Sequence, residues 1–316
     1  MKIESNDNDK DIVVLTKTLS NLFYKSPPNY SEIIDFVISY LDNGEYIDIL
    51  NVFFQISGVL LPLSISVDNS KKYQTSWLEK LKTGSIFGAH CMTEVQGGTD
   101  IFSMKTTAIE FDKYWLINGQ KTLICNAHNS EVGLLYTNFN TTFNPPYNLC
   151  AFILDLKLNG ISISSPIKTI GLDGINLGSI YLNDVRLPKD AILGCIGEGQ
   201  NIAYISTTLE RLLIPIVFIA KLYQFYKSSP QSLKADFFRI YIANRLFVEK
   251  ILSSIDLFSW NREYIKLGCL LKWHVSDEYI KAAKLTGDER HYLDSLSSWI
   301  YSGNNDSLKN MVSRLV

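Results

Sequence analysis

The sequence predicts an α+β protein in three zones: an N-terminal helical domain over residues 1–86, a central β domain over 87–193 and a C-terminal helical bundle over 194–316. Two observations carry this expectation. Apolar residues recur at helical spacing at both ends of the chain, whereas the middle alternates in short runs cut by turn residues. The middle also lacks helices between its strands, which points to a compact, barrel-like β domain.

In the first zone, Ile12, Leu15, Leu19, Leu22 and Phe23 fall on one helical face. Asn29 and Glu32 have the spacing of a capping box that opens a helix ending near Asn43-Gly44. "YIDILNVFFQISGVLLPL" is apolar nearly all round, as a buried helix would be. In the second zone, "TTAIEF", "GLLYTNF", "NLCAFILDL" and "GSIYLNDVRLP" read as strands. Turns are expected at Asp112-Lys113, Asn118-Gly119, Pro145-Pro146 and Asn159-Gly160. "WLINGQKTLICNA" reads as a hairpin closed by Asn118-Gly119. Helical periodicity returns with "QNIAYISTTLERLLIPIVFIAKLYQFYK" and holds through "SLKADFFRIYIANRLFVEKILSSI", "YIKLGCLLKWHVSDEYIKAAKL" and a short helix near "SLKNMVSRLV".

Composition narrows the function classes. A chain of 316 residues that is 46% hydrophobic and 20% charged can bury a large core. A formal net charge of −2 argues against a nucleic-acid binder. The five cysteines have no C-x-x-C spacing and an odd count, so they read as reduced thiols rather than a disulfide framework. The four histidines show no ligand spacing, and no metal is expected. The polar start "MKIESNDNDKD" does not read as a signal peptide. The apolar run over 200–220 reads as a buried helix rather than a membrane span, because it holds a charged pair and Pro215. A soluble cytoplasmic protein is the expectation.

That charged pair is the oddity of the chain. Between Glu198 and Lys221 the only formal charges are Glu210 and Arg211. Burying a carboxylate or a guanidinium is costly unless each is paired and hydrogen-bonded. The pair is either structural or functional. Elsewhere, "CMTEVQGGTD" crosses a glycine pair, Gly97-Gly98, that lets backbone amides approach a ligand. Gly197-Glu198-Gly199 lacks the third glycine and the βαβ setting of a dinucleotide-binding fingerprint.

Taken in order, these phrases resemble the acyl-CoA dehydrogenase flavoprotein family. Its T-E-x-x-x-G-S/T-D loop is matched by Thr93 to Asp100, and its I-N-G-x-K-x-x-I-T-N phrase by Ile117 to Asn126. Its D-V-x-V-P…LG…G-x-G phrase is matched by Asp184 to Pro188 with Gly194, Gly197 and Gly199, and its I-Y-x-G-T ending by "IYSGNND". The resemblance runs from about residue 80 to the C-terminus. It implies a helical, β, helical layout, FAD as cofactor, an acyl-CoA or a carrier-protein-bound acyl group as substrate, a homodimer or homotetramer, and an electron-transfer flavoprotein as acceptor.

The resemblance also assigns residues. Met92 and Thr93 fall where the flavin ring edge is met, Cys125 where a threonine usually contacts it, and Leu123 where a tryptophan is common. Thr99 falls near the thioester end of the substrate. Asn304 and Asp306 fall near the adenine-side phosphates. Many members place the α-proton base at the x of Y-x-G-T, which here is Ser302. A minority branch takes it from an L-x-x-E-R-like phrase in the first C-terminal helix, which Leu209-Glu210-Arg211 fits. The resemblance thus offers Glu210 as base with Arg211 balancing its charge, beside the reading of Glu210-Arg211 as a structural pair. The family's R-x-F-G and G-G-x-G-Y phrases are not recognised; "QSLKADF" and "KLTGDERHYL" stand near their places. A monooxygenase-like relative and a non-catalytic, partner-binding derivative are the alternatives.

Overall fold

The computed structural model describes residues 7–98, 100–139, 148–172 and 174–315. Helices α1 (Asp7–Phe23), α2 (Tyr30–Tyr40), α3 (Tyr46–Gln55), α4 (Leu61–Ser66) and α5 (Lys72–Lys82) come first. Strands β1 (Phe87–Cys91), β2 (Thr107–Glu110), β3 (Tyr114–Ile124), β4 (Ser130–Phe139), β5 (Leu149–Asp155), β6 (Ile161–Ile163), β7 (Gly178–Pro188) and β8 (Ile192–Leu193) follow. Helices α6 (Gly199–Ser228), α7 (Lys234–Leu252), α8 (Glu263–Leu285), α9 (Glu289–Ser297) and α10 (Asn305–Leu315) end the chain. The helical, β, helical order is the one the periodicities imply.

Two compact units share the chain discontinuously: 1–20, 54–168 and 174–206 form one, and 21–53, 169–173 and 207–316 the other. The first is built on an eight-stranded mixed sheet, counted among the described residues. Its order is β6-β7-β3-β2-β4-β5-β8, with β1 lying parallel on β4. The sheet curls. Trp115 of β3 and Phe152 of β5 have ring centroids 5.2 Å apart, although three strand steps in a flat sheet would separate them by about 14 Å. Trp115, Ile117, Phe152, Leu154, Ile180 and Leu187, all buried, fill the inside of that curl. Helix α5 is fixed to this unit by the buried Gln74, whose Nε2 donates to Asp190 O (2.9 Å) and Ile192 O (2.7 Å).

One sequence expectation is corrected. Asn118-Gly119 does not close a hairpin; β3 runs unbroken through it, and the β2–β3 turn lies at Asp112-Lys113. The pair instead forms an irregularity in the β3–β7 ladder. Asn118 Nδ2 donates to Asp184 Oδ1 (3.0 Å) and Asp184 N donates back to Asn118 Oδ1 (2.8 Å). Gly119, at φ +151°, backs onto Thr106, whose Cα would lie 2.6 Å from an added Cβ. The bulge lies in β7, where Asn183 and Asp184 (φ 51°) face the single residue Asn118, and Gly119 serves the close backbone approach to Thr106. The Pro145-Pro146 turn signal lies outside the described residues.

In the second unit, Asn29 caps α2 as expected, accepting from Glu32 N (3.2 Å). The reciprocal half of the capping box is absent from the described bonds, because Glu32 turns to Lys25 (2.7 Å). Helix α2 ends at Tyr40, short of Asn43-Gly44. Helix α6 continues through Pro215. Leu212, Leu213, Ile216, Val217 and Phe218 on α6 are all buried, as are Leu271, Val275 and Tyr279 on α8. Phe218 stacks on Tyr279 at 5.1 Å. Two stretches, Tyr46–Ser66 and Gly199–Ser228, are long and apolar enough to cross a membrane, and both are mostly buried within the protein.

Candidate active site

In the first unit, the loop after β1 is built around a buried ion pair. Lys121 is fully buried on β3, and its Nζ donates to Glu94 Oε1 (2.7 Å) and Met92 O (3.2 Å). Oε1 of Glu94 also accepts from Thr106 N (3.1 Å) and Thr106 Oγ1 (2.6 Å). Its Oε2 accepts from Lys105 N (2.6 Å) and Gln96 Nε2 (2.7 Å). Burial alone would raise the carboxyl, but Lys121 and these donors hold Glu94 down to about 2. Burial pulls Lys121 down to about 8, with Glu94 opposing. Both remain charged at neutral pH.

This pair welds two segments distant in sequence. Thr122 N donates to Thr93 O (2.8 Å), so the loop runs along the end of β3. Gly98 packs under Thr93; an added Cβ would lie 2.8 Å from Thr93 Oγ1. Gly97, at φ +133°, has nothing within 4 Å of an added Cβ and leaves open space over the loop. At the end of β3, Leu123 (φ 54°) and Asn126 (φ 59°) adopt left-handed backbone. Leu123 is 50% exposed, unusual for a large apolar residue in a rigid strand end. Met92 is buried, and Thr93 and Cys125 are half-buried. Thr99 lies outside the described residues. The exposed Leu123 side chain, the open Gly97 loop and the half-buried Thr93 and Cys125 thus lie on segments joined by the Thr122–Thr93 bond, and they are groups of the kind an apolar ring with polar rims would need.

In the second unit, Glu210 and Arg211 are both buried on α6, at 7% and 9% exposure. Ser302 Oγ donates to Glu210 Oε2 (3.2 Å). Arg211 Nε donates to Ser302 O (2.8 Å), and its Nη1 lies 3.6 Å from Cys269 Sγ. The phrase at 210–211 and the phrase at 301–303 thus meet. The turn that carries Ser302 is left-handed at both Ser302 (φ 58°) and Gly303 (φ 99°). Gly268 lets α8 come close, since an added Cβ would sit 3.3 Å from both Arg211 Cβ and Thr208 O. Asn304 Oδ1 caps α10 by accepting from Ser307 N (2.9 Å), and Asp306 is exposed in its first turn.

Three residues escape the sequence reading. Glu94 and Lys121 are letters of the two matched phrases, and that was the available signal for a pair. Lys272 had none: it is a lysine inside a helical stretch, yet it is buried and donates to Trp299 O (3.2 Å), Gly303 O (2.8 Å) and Asn305 Oδ1 (2.9 Å).

Residues 89–185 match the family model described as "Acyl-CoA dehydrogenase, middle domain". The chain is 31% identical over 144 residues to a glutaryl-CoA dehydrogenase of Desulfococcus multivorans, a match covering 45% of this chain and 36% of that one. It is 28% identical over 181 residues to the CarC subunit of a caffeyl-CoA reductase–Etf complex of Acetobacterium woodii, covering 54% and 48%. These matches span about a third to a half of the relatives' length. Among solved structures, the FAD complex of PigA superposes with a TM-score of 0.73 at 18% identity, covering 100% of this chain and 99% of that one. The fold is that of the acyl-CoA dehydrogenases, and residues 89–185 are similar to that family's middle domain.

Proposed function

We infer that the chain is an FAD-dependent dehydrogenase of acyl thioesters, with Glu210 as the base that removes the α-proton. The observation that carries this reading is the contact between Ser302 and Glu210. The common base position of the family holds a hydroxyl here, and that hydroxyl donates to the buried carboxylate of α6. A serine hydroxyl is too weak a base for an α-proton, whereas a carboxylate shielded from water is suited to it.

In this reading bound FAD would supply the hydride acceptor for the β-carbon, and the acyl chain would lose H⁺ and H⁻ and gain a double bond. Met92, Thr93 and Cys125 would hold the ring edge, and Leu123 would offer it an apolar face. Asn304 and Asp306, at the start of α10, are assigned to the adenine-side phosphates, where helix N-terminal amides would favour an anion. Thr99 is assigned to the thioester end of the substrate. Arg211 keeps the buried site near neutrality. Glu210 accepts the α-proton at a carboxylate oxygen not engaged by Ser302. Similarity to a subunit of an Etf complex supports an electron-transferring flavoprotein as reoxidant. A cytoplasmic homodimer or homotetramer is the assembly proposed.

Purified protein should carry a flavin spectrum that is bleached anaerobically by an acyl-CoA or an acyl-carrier-protein thioester. A flavin that bleaches with neither thioester but consumes oxygen with a reductant would favour a monooxygenase-like activity. Protein without flavin, even after incubation with FAD, would favour the non-catalytic, partner-binding reading.

A further inference from the structure

The turn over 299–305 is held by two buried basic side chains from two helices. Arg211 of α6 donates to Ser302 O at 2.8 Å. Lys272 of α8 donates to Trp299 O, Gly303 O and Asn305 Oδ1 at 3.2, 2.8 and 2.9 Å. Burial, with Arg211 adding to it, pulls Lys272 down to about 7; in its ammonium form the three acceptors saturate its three N–H bonds. Asn305 in turn donates to Asp277 Oδ1 (2.6 Å), which also ties α8 to the turn. The turn contains a non-glycine residue in left-handed backbone, Ser302, a conformation that costs on the order of 1 kcal/mol. What this arrangement delivers is the hydroxyl of Ser302, aimed at Glu210 Oε2.

We propose that Ser302 is a positioning residue that stabilises the charged form of Glu210, and that Lys272 acts at one remove by locking the turn that aims it. This rests on Glu210 as the base only for its catalytic meaning; the contact and its effect on ionisation stand apart from it. Charged and titratable groups placed at the turn and on its partners include Arg211 on α6, Cys269, Lys272 and Asp277 on α8, Tyr301 in the turn and Lys309 on α10. Asp277 is engaged by Trp273 Nε1 (2.8 Å) and Asn305, with Lys309 of α10 at 3.9 Å. A hydrogen bond donated to a carboxylate favours its charged form, so removing it raises the pKa. Losing one charge-assisted bond moves such a midpoint by about one pH unit.

The test is a ¹³C NMR titration of the Glu210 carboxyl in the purified chain with ¹³C-labelled glutamate, the signal assigned by its loss in Glu210→Gln. Ser302→Gly is the chosen variant because glycine adopts left-handed backbone without strain, so the fold is kept while the hydroxyl goes. The Glu210 midpoint should rise by about one pH unit in Ser302→Gly and move in the same direction in Lys272→Met. The acid limb of thioester-driven flavin reduction should move with it. An unmoved NMR midpoint in Ser302→Gly overturns the proposal. If Lys272→Met does not fold, Ser302→Gly alone decides the role of Ser302, and Lys272→Arg, which keeps a cation with more donors, decides the second step: a midpoint equal to that of Ser302→Gly supports the locking role and a wild-type midpoint with a disordered turn opposes it. A shifted NMR midpoint with an unaffected reduction rate in Glu210→Gln would instead refute Glu210 as base and leave this proposal standing.

Discussion

Lys121→Met removes the cation from the buried pair that joins the loop after β1 to β3. Lys121 Nζ makes its 2.7 Å contact with Glu94 at zero exposure, and Glu94 is 4% exposed, so little water can replace the lost partner. Breaking such a pair from one side costs about 3–5 kcal/mol. Four other donors stay on the Glu94 carboxylate, from Gln96, Lys105 and twice from Thr106, which places the expected loss near the lower end, at about 3 kcal/mol. The loss depends on pH with a definite sign. The folded value of Glu94, about 2, lies below its ordinary 4.5, so its contribution is fully present above 4.5 and disappears as pH falls through about 2. The gap between wild type and variant in urea denaturation should therefore narrow on going from neutral to acid pH, by up to about 1 kcal/mol by pH 4. Flavin retention should weaken in parallel, since Met92 O and the Thr93 strand pairing are set by the same lysine. A variant within about 0.5 kcal/mol of wild type at neutral pH, or a gap that widens on acidification, would refute the account of this loop.

Two further substitutions test the packing around the site. Gln74→Ala removes the donor to the Asp190 carbonyl, leaves the Ile192 carbonyl only Lys71 Nζ at 3.3 Å, and takes the acceptor from the Asp68 N–H, which donates to Gln74 Oε1 at 2.9 Å. It should cost about 2–3 kcal/mol in chemical denaturation, with α5 the first segment to lose hydrogen-exchange protection. Gly171→Ala would put a Cβ 2.5 Å from the Leu293 carbonyl oxygen, a backbone atom that cannot swing away. It should lower the melting temperature by several degrees, equivalent to about 1–3 kcal/mol, with the Leu172 N to Asp294 bond (2.7 Å) displaced.

The fold class was legible because each zone has one dominant period. Ile12, Leu15 and Leu19 repeat at helical spacing, whereas the segment from Gly178 to Pro188 alternates, and burial in β7 follows that alternation at Ile180 and Leu182 and, after a one-residue slip at Asn183-Asp184, at Val185 and Leu187. Asn118-Gly119 misled because a turn and a close approach to Thr106 within a strand ask the same thing of a glycine, namely positive φ and no Cβ. Only the pairing of residues on both sides with β7 separates the two. At the site, the Glu210-Arg211 phrase stood out because charge is rare in an apolar helix. Its link to Ser302 was not readable, because 91 intervening residues and a left-handed turn bring them together. Lys272 was invisible for a related reason: a lysine in an amphipathic helix reads as solvated, and nothing local reveals that three acceptors from 299–305 converge on it.

The central claim is that Glu210 takes the α-proton. It is tested most directly by following the flavin's visible absorption in a stopped-flow instrument, anaerobically, after mixing acyl thioester with wild type and with Glu210→Gln loaded equally with FAD. The account predicts rapid bleaching in the wild type and a rate lower by a factor of roughly 10³ or more in the variant, with thioester binding retained. Equal bleaching in the two proteins would contradict it.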